Sequence, residues 1–456
     1  MNNRIAWKRA GIVLLSCMSA AAGSPAQTFT TLASFNGTNG ANPAVMSLVQ
    51  SIDGNLYGTT SAGGTGYGTV FKIAPGGALT TVHSFDLTDG SNPGAGLLPD
   101  SNGNLYGVAC DGGGGYGTVF KIAPGGALTT LHTFTGTDGS CPGAPLVQGP
   151  GGSFYGTTSG GDGTFFKIAP DGTLTTLANF GSPNGSSPVS LVLATDGDFY
   201  GTTEFGGTGS DCSSGCGTFF KVTPGGDLTT LHSFNYTGGA LPLGPLTQAA
   251  DGNFYGTTQA GKTGYGTVFK ITPGGALTTL QNFDTSNGSN PTSGVIQGTD
   301  GNFYGTTEAG GSAYNGTIFK IASDGKLTTL HDFSLHSPDG SNPESGLVQG
   351  TDGNFYGATF NGGSDGDGIV YSLSVGLGAF VKALPHFAAV GDKIKILGTD
   401  LAGATSVRFN GVTAVFTVVS PTEISTTVPA GATTGKIRVT TPGGTLWSAG
   451  PFQVVP

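Results

Sequence analysis

Hydrophobic residues along this chain come in short runs separated by glycine-containing turns, and the same runs return about every fifty residues. The octapeptide DGNFYGTT stands at 251–258 and again at 300–307, with DGNLYGTT at 53–60 and DGNFYGAT at 352–359. Its tyrosine recurs at Tyr57, Tyr106, Tyr155, Tyr200, Tyr255, Tyr304 and Tyr356. An apolar run such as GLVQ precedes each tyrosine, VFKI, FFKI or a one-residue variant of them follows the first six, and a variant of LTTLHSF closes each of those six repeats. Every run is rich in Val, Leu, Phe, Tyr and Thr and is bounded by turn residues, which predicts strands. DGN and PGG supply the chemistry of tight hairpin turns between them. Each repeat therefore reads as four antiparallel strands, A (GLVQ), B (NFYGTT), C (GTVFKI) and D (LTTLHSF). Four-stranded repeats of this length predict the blades of a β-propeller.

Ring closure can be checked in the sequence. The seventh repeat has A, B and C runs, the last degenerated to IVYSL at 369–373, but no D run. The missing strand stands at the other end of the chain, as TFTTLASF at 28–35. An N-terminal strand completing the last blade gives seven blades and leaves no open edge. The spacing adds a polarity. The A-to-B and C-to-D steps keep constant length, whereas B-to-C and D-to-A steps vary. In an up-and-down blade the two variable connections share one end, so all length variation falls on one face of the disc, where recognition usually sits.

After Ser374 the repeats stop, and residues 380–456 alternate apolar and polar positions with frequent turns, the pattern of an immunoglobulin-like sandwich. The stretch from VGDKIKILGTD through VRFNG to VPAGATTGKIRVTTPGG closely resembles an IPT/TIG domain. The repeats at 28–373, GTVFKIAPGGALTTLHSF…DGSNP…GLVQGTDGNFYGTT, resemble the GloVer-type tandem repeats of bacterial exported proteins. That resemblance implies an exported location and no particular activity. The expected fold is all-β: a propeller over 27–374 and a sandwich over 380–456. Few contacts are expected across the linker between them, and proteolysis is expected near 374–382.

Composition refines this picture. Glycine accounts for 85 of 456 residues and charged residues for only 10%, which favours short strands and turns over helices. Residues 1–26 read as a cleaved signal peptide: Arg4, Lys8 and Arg9 precede an apolar run too short to span a bilayer, and a small-x-small site ends at Ala26. A lipoprotein site at Cys17 is the alternative, and secreted, cell-surface and periplasmic destinations all fit. The mature chain is expected to lack a membrane span and to be a monomer. The formal charge of −10 (17 basic, 27 acidic) argues against nucleic acid and anionic membranes as partners. Of the four cysteines after the leader, loop geometry favours the pairs Cys110–Cys141 and Cys212–Cys216, and export permits disulfides.

The chemistry-bearing motifs are few. His83, His132, His232 and His331 share one slot of the D strand, which a structural role explains better than catalysis. His336 lies in the extended D–A loop of the last repeat and His386 outside the ring. GGTGYG at 63–68 joins two strands and opens no helix, so it is not a nucleotide-binding loop. The residue after the B-strand Thr-Thr changes from blade to blade on the variable face. Glu204, Gln259, Glu308 and Phe360 in this slot are the candidate ligand contacts. Asp365 and Asp367 of SDGDG are candidate calcium ligands without a full calcium-loop pattern. No cofactor is expected and no catalytic residue is assigned. The function expected is a secreted or surface binding protein whose loop face takes a glycan or protein ligand. A polysaccharide lyase or glycoside hydrolase using loop carboxylates is the alternative, and a structural envelope protein the third reading.

Overall fold

A computed structural model describes residues 27–43, 48–209, 211–334 and 338–455. The leader with Cys17 and the loop histidine His336 lie outside the described residues. Among the described residues there is no α-helix, and the one helical turn is a 3-10 turn at Pro150–Gly152. Seven antiparallel sheets follow one another along the chain. The fifth is representative, pairing Thr247–Gln248, Phe254–Thr258, Thr267–Ile271 and Leu277–Asn282 in sequence order. The first sheet gains an extra strand, Ala41–Pro43, against Leu56–Ala62.

The ring closes as the sequence predicts. Thr28–Ser34 pairs with Ile369–Ser374, with Phe29 opposite Leu373 and Ser34 opposite Ile369. The core is divided among the joints. Seven apolar clusters each draw on two adjacent blades. At the joint between blades 5 and 6, Tyr255 stacks on Phe303 with ring centroids 3.9 Å apart. Phe35 is fully buried between blade 7 and blade 1.

The repeated octapeptide is explained residue by residue in blade 5. Asp251 accepts the backbone N–H of Asn253 at 3.0 Å, fixing the A–B turn. Its second oxygen accepts from the Tyr255 hydroxyl at 2.9 Å and the Lys270 ammonium at 2.9 Å. Lys270 also lies 5.7 Å from the centre of the Tyr255 ring, within cation–π range. Gly256 is required by sterics, since a Cβ there would stand 2.7 Å from Phe269 Cζ. Thr257 donates to the Ser293 carbonyl of the next blade at 2.6 Å, and Thr258 pairs with Thr267 at 2.7 Å. The motif recurs because every blade needs the same glycine gap for a C-strand ring, and most share the turn; the threonine link to the next blade is made in blades 1, 3, 5 and 6, whereas blades 2 and 7 carry Val108 and Ala358 in that slot.

The C-terminal domain is a sandwich. Lys382–Leu384, Lys393–Leu397, Glu423–Thr427 and Phe416–Ser420 form one sheet. Val412–Ala414, Ser406–Phe409, Ile437–Thr441 and Gly444–Trp447 form the other, around Ile394, Ile396, Val407, Ile424 and Val439. The linker is not the sparsely contacted segment expected. Phe380 and Val381 are buried, Phe380 N–H donates to the Thr351 carbonyl at 2.9 Å, and Lys382 donates to the Gln349 carbonyl at 2.6 Å. Val375 and Leu377 pack against the joint of blades 6 and 7. A cleft of about 700 Å³ separates the sandwich from the A strands of blades 4, 5 and 6. The constant-length A–B turns form an even face, and the sandwich docks onto it.

Candidate functional site

With one face occupied by the sandwich, the B–C and D–A connections present the other. Their scaffold is uniform beneath the variation. Each D–A connection holds one residue in the left-handed region ahead of a proline: Asn42, Asn92, Cys141, Ser187, Leu241, Asn290 or Asn342. The N–H of Asn342 bonds the Asn315 carbonyl of the preceding blade at 2.9 Å, and its carbonyl accepts from Phe360 N–H at 2.9 Å. Asn290 does the same between Tyr265 and Glu308, at 3.0 and 3.1 Å. The proline then covers a glycine of the preceding blade: a Cβ on Gly316 would stand 2.5 Å from Pro343 Cδ. These clamps hold the variable slot in register across blade joints.

Glu204, Gln259, Glu308 and Phe360 are all half-buried on this scaffold. Burial raises the Glu204 pKa against an opposing hydrogen bond from Ser187, and burial raises that of Glu308. The carboxylate beside Glu308 is Glu344, not Glu204, which sits two blades away. Burial first, then the Glu308 charge, pushes Glu344 up to about 7. Glu344 follows Pro343 at the entry to blade 7, where the other six blades carry Ala44, Gly94, Gly143, Val189, Leu243 and Thr292. That change of residue type was the available signal for it. Asp365 is exposed, accepting from Ser364 at 2.7 Å. Asp367 gives its backbone carbonyl to Asn42 N–H. Among the described residues no group of three His, Cys, Asp or Glu side chains could hold a metal ion.

Both expected disulfides are present, Cys110–Cys141 and Cys212–Cys216. The first ties a B–C loop to the following D–A loop, and the second closes the longest B–C loop. The D-strand histidines are structural partners of loop aspartates. His83 pairs with Asp89 at 2.7 Å, His132 with Asp138 at 2.8 Å and His331 with Asp339 at 3.1 Å. His232 has no such aspartate because its loop reads NYTGG, and burial lowers its pKa. The sequence reading missed a further feature. Among the described residues, the large apolar side chains that the ring leaves exposed, Tyr67, Leu87, Tyr116, Tyr236, Tyr265 and Tyr314, all belong to B–C or D–A connections.

The sequence matches the Gloeobacter/Verrucomicrobia repeat over residues 21–162, 115–275 and 210–415, and an IPT/TIG domain over 384–454. No curated protein matches it significantly. Among solved structures, the extracellular domain of a hybrid two-component system from B. thetaiotaomicron aligns at 13% identity and a TM-score of 0.52, covering 90% of this chain and 54% of that one. PorZ, a bacterial surface component of the type-IX secretion system of Porphyromonas gingivalis, aligns at 14% identity and a TM-score of 0.50. That alignment covers 93% of this chain and 61% of PorZ. This chain thus spans a little over half the length of either structure, and the likeness is one of fold.

Proposed function

This chain belongs to the Gloeobacter/Verrucomicrobia repeat family and carries a C-terminal IPT/TIG domain, and from that premise we propose that it is an extracytoplasmic binding protein whose loop face takes a glycan or protein ligand. The observation that carries this reading is an asymmetry of the disc. One face has hairpins of constant length and receives the sandwich. The other holds the length variation, both disulfides and the exposed large apolar side chains of the ring. Rigid blades with variable connections are the usual way to support a recognition surface. Two disulfides favour an oxidising compartment, and no helix among the described residues is long and apolar enough to cross a membrane.

The test is to obstruct each face separately. Lys262 is exposed in a B–C loop and Lys326 in a C–D turn on the opposite face. Lys262→Cys and Lys326→Cys, each carrying a bulky polyethylene glycol maleimide, are compared on an array of glycans and extracellular proteins. Ligand capture lost only with the label at 262 supports the loop face. Loss only with the label at 326 overturns it, and no capture by the unlabelled parent favours the structural envelope reading.

A second reading rests on the Glu308–Glu344 pair. A carboxyl pushed up to about 7 by burial and by a neighbouring carboxyl group suits the general acid of glycosidic chemistry. Release of reducing ends from a polysaccharide, lost in Glu344→Gln, would establish it.

A further inference from the structure

Among the described residues, the exposed large apolar side chains of the loop face form two arcs. Tyr67, Leu87 and Tyr116 belong to blades 1 and 2, and Tyr236, Tyr265 and Tyr314 to blades 4 to 6. Tyr67, Tyr116 and Tyr265 occupy one slot, immediately before the glycine that opens the C strand, where blades 3 and 7 carry Asp162 and Asp367. Tyr314 is 71% exposed and sits at φ 62°; Leu87 is 44% exposed at φ 72°. A bulky residue in the left-handed region is strained, and an exposed ring recovers little burial energy. Glycine or asparagine would suit both backbone and solvent better, so folding does not account for these side chains. Outliers of this kind concentrate at binding sites.

The Tyr116 ring is held as a platform. It lies against Gly136 of the adjoining D–A loop, where a Cβ would come within 3.0 Å of Tyr116 Cε1. A fixed aromatic plane with a hydroxyl at its edge matches a sugar: the ring packs on the C–H face of a pyranose while its hydroxyl meets the sugar hydroxyls. Tyrosine also supplies contact area at low entropic cost. The polar Asp162 and Asp367 positions divide the two arcs, whereas a protein partner needs one continuous apolar centre.

Charge selects the class of glycan. Lys262 is the only lysine or arginine in the B–C and D–A connections, which also carry Asp111, Asp162, Glu308, Glu344 and Asp365. Such a face repels polyanions, and a single ammonium, Lys262, with no guanidinium is too little for the charge-assisted hydrogen bonding that binds uronates and sulfates. That counts equally against a lyase acting on uronate polymers. We infer that the two tyrosine arcs bind a neutral polysaccharide by stacking its pyranose rings, an inference that rests on the loop-face reading above.

The experiment uses the exported chain in affinity electrophoresis and calorimetry. The probes are a soluble β-1,4-glucan, a β-1,4-mannan and amylose, with polygalacturonate and heparin as anionic probes. At least one neutral polymer should bind, and neither anionic polymer should, even at low salt. Tyr265→Ala with Tyr314→Ala should weaken binding by about tenfold or more. Trp447→Ala, removing an exposed ring on the sandwich, should bind as the parent does. Failure of every neutral polymer, binding of polygalacturonate, or parental binding by the tyrosine variant overturns the inference. If the label at 262 still blocks some other ligand after such a failure, the loop face stands and the neutral glycan alone falls. If only the label at 326 blocks, both fall.

Discussion

Phe35→Ala tests ring closure with one side chain. Phe35 directly follows the N-terminal strand and is fully buried among Leu48, Leu56, Phe71 and Ile73 of blade 1 and Tyr356 and Val370 of blade 7. Its ring meets Phe71 edge-on with centroids 5.0 Å apart. Truncating a fully buried phenylalanine costs about 3–5 kcal/mol through lost transfer energy and the cavity left behind. Phe85 holds the same slot at the end of the blade 1 D strand and is equally buried, so Phe85→Ala is the matched control. Phe29 is only half-buried but stacks on His331 of blade 6 at 3.9 Å and Tyr371 of blade 7 at 5.2 Å. Phe29→Ala should therefore cost about half as much. Deleting 28–35 should do more than either, because it also leaves Ile369–Ser374 as an unpaired edge that favours association. The assay is denaturant unfolding followed by near-ultraviolet circular dichroism of the tyrosines, with sedimentation velocity on the deletion. The reasoning is refuted if Phe35→Ala unfolds within about 0.5 kcal/mol of the parent while Phe85→Ala loses the full amount. A 28–35 deletion that stays monomeric with parental stability refutes it equally.

Four further outcomes are expected. Glu344 is raised from 4.5 to about 7, so it favours the folded state fully below pH 4.5, and this stabilisation is lost as pH rises through 7. Linkage sets an upper bound of about 3 kcal/mol, which partial exposure reduces to about 1–2; Glu344→Gln should flatten that decline and be the more stable protein at pH 8, and an unchanged pH profile would contradict the assignment. Tyr371→Phe should stabilise by about 1 kcal/mol in thermal unfolding, because its buried hydroxyl has no partner and the six other blades carry phenylalanine there; a loss of stability would mean the hydroxyl is satisfied. Non-reducing peptide mapping should recover Cys110 with Cys141 and Cys212 with Cys216, and loop length makes the first bond the larger stabiliser, at about 3–4 kcal/mol against about 2; reduction that leaves the midpoint unmoved would contradict this. Limited proteolysis of native protein should spare 375–382, since Phe380 and Val381 are buried there; rapid cleavage at that segment would show that the docking is not held in solution.

The ring was legible in the sequence because its contacts repeat. Each blade buries the same B-strand tyrosine and C-strand ring and needs the same glycine gap, so the pattern survives as spacing, and the strand missing from blade 7 could be found at 28–35 by its wording. The face carrying the variation followed from antiparallel order alone, and the two disulfides from loop positions on that face. Other features arise from residues that are neighbours only across joints or between domains. Glu344 lies well along the chain from Glu308, and the clamp through Asn342 and Pro343 is what brings the two together. The docking of the sandwich depends on Lys382, Phe380 and Thr399 meeting Gln349 and Thr351, a match of surfaces that no periodicity encodes. The sequence places Tyr255 and Tyr304 on strands and Tyr265 and Tyr314 in connections, but only the folded chain shows that the second pair is left exposed, because exposure is a property of the packed assembly and not of the residue.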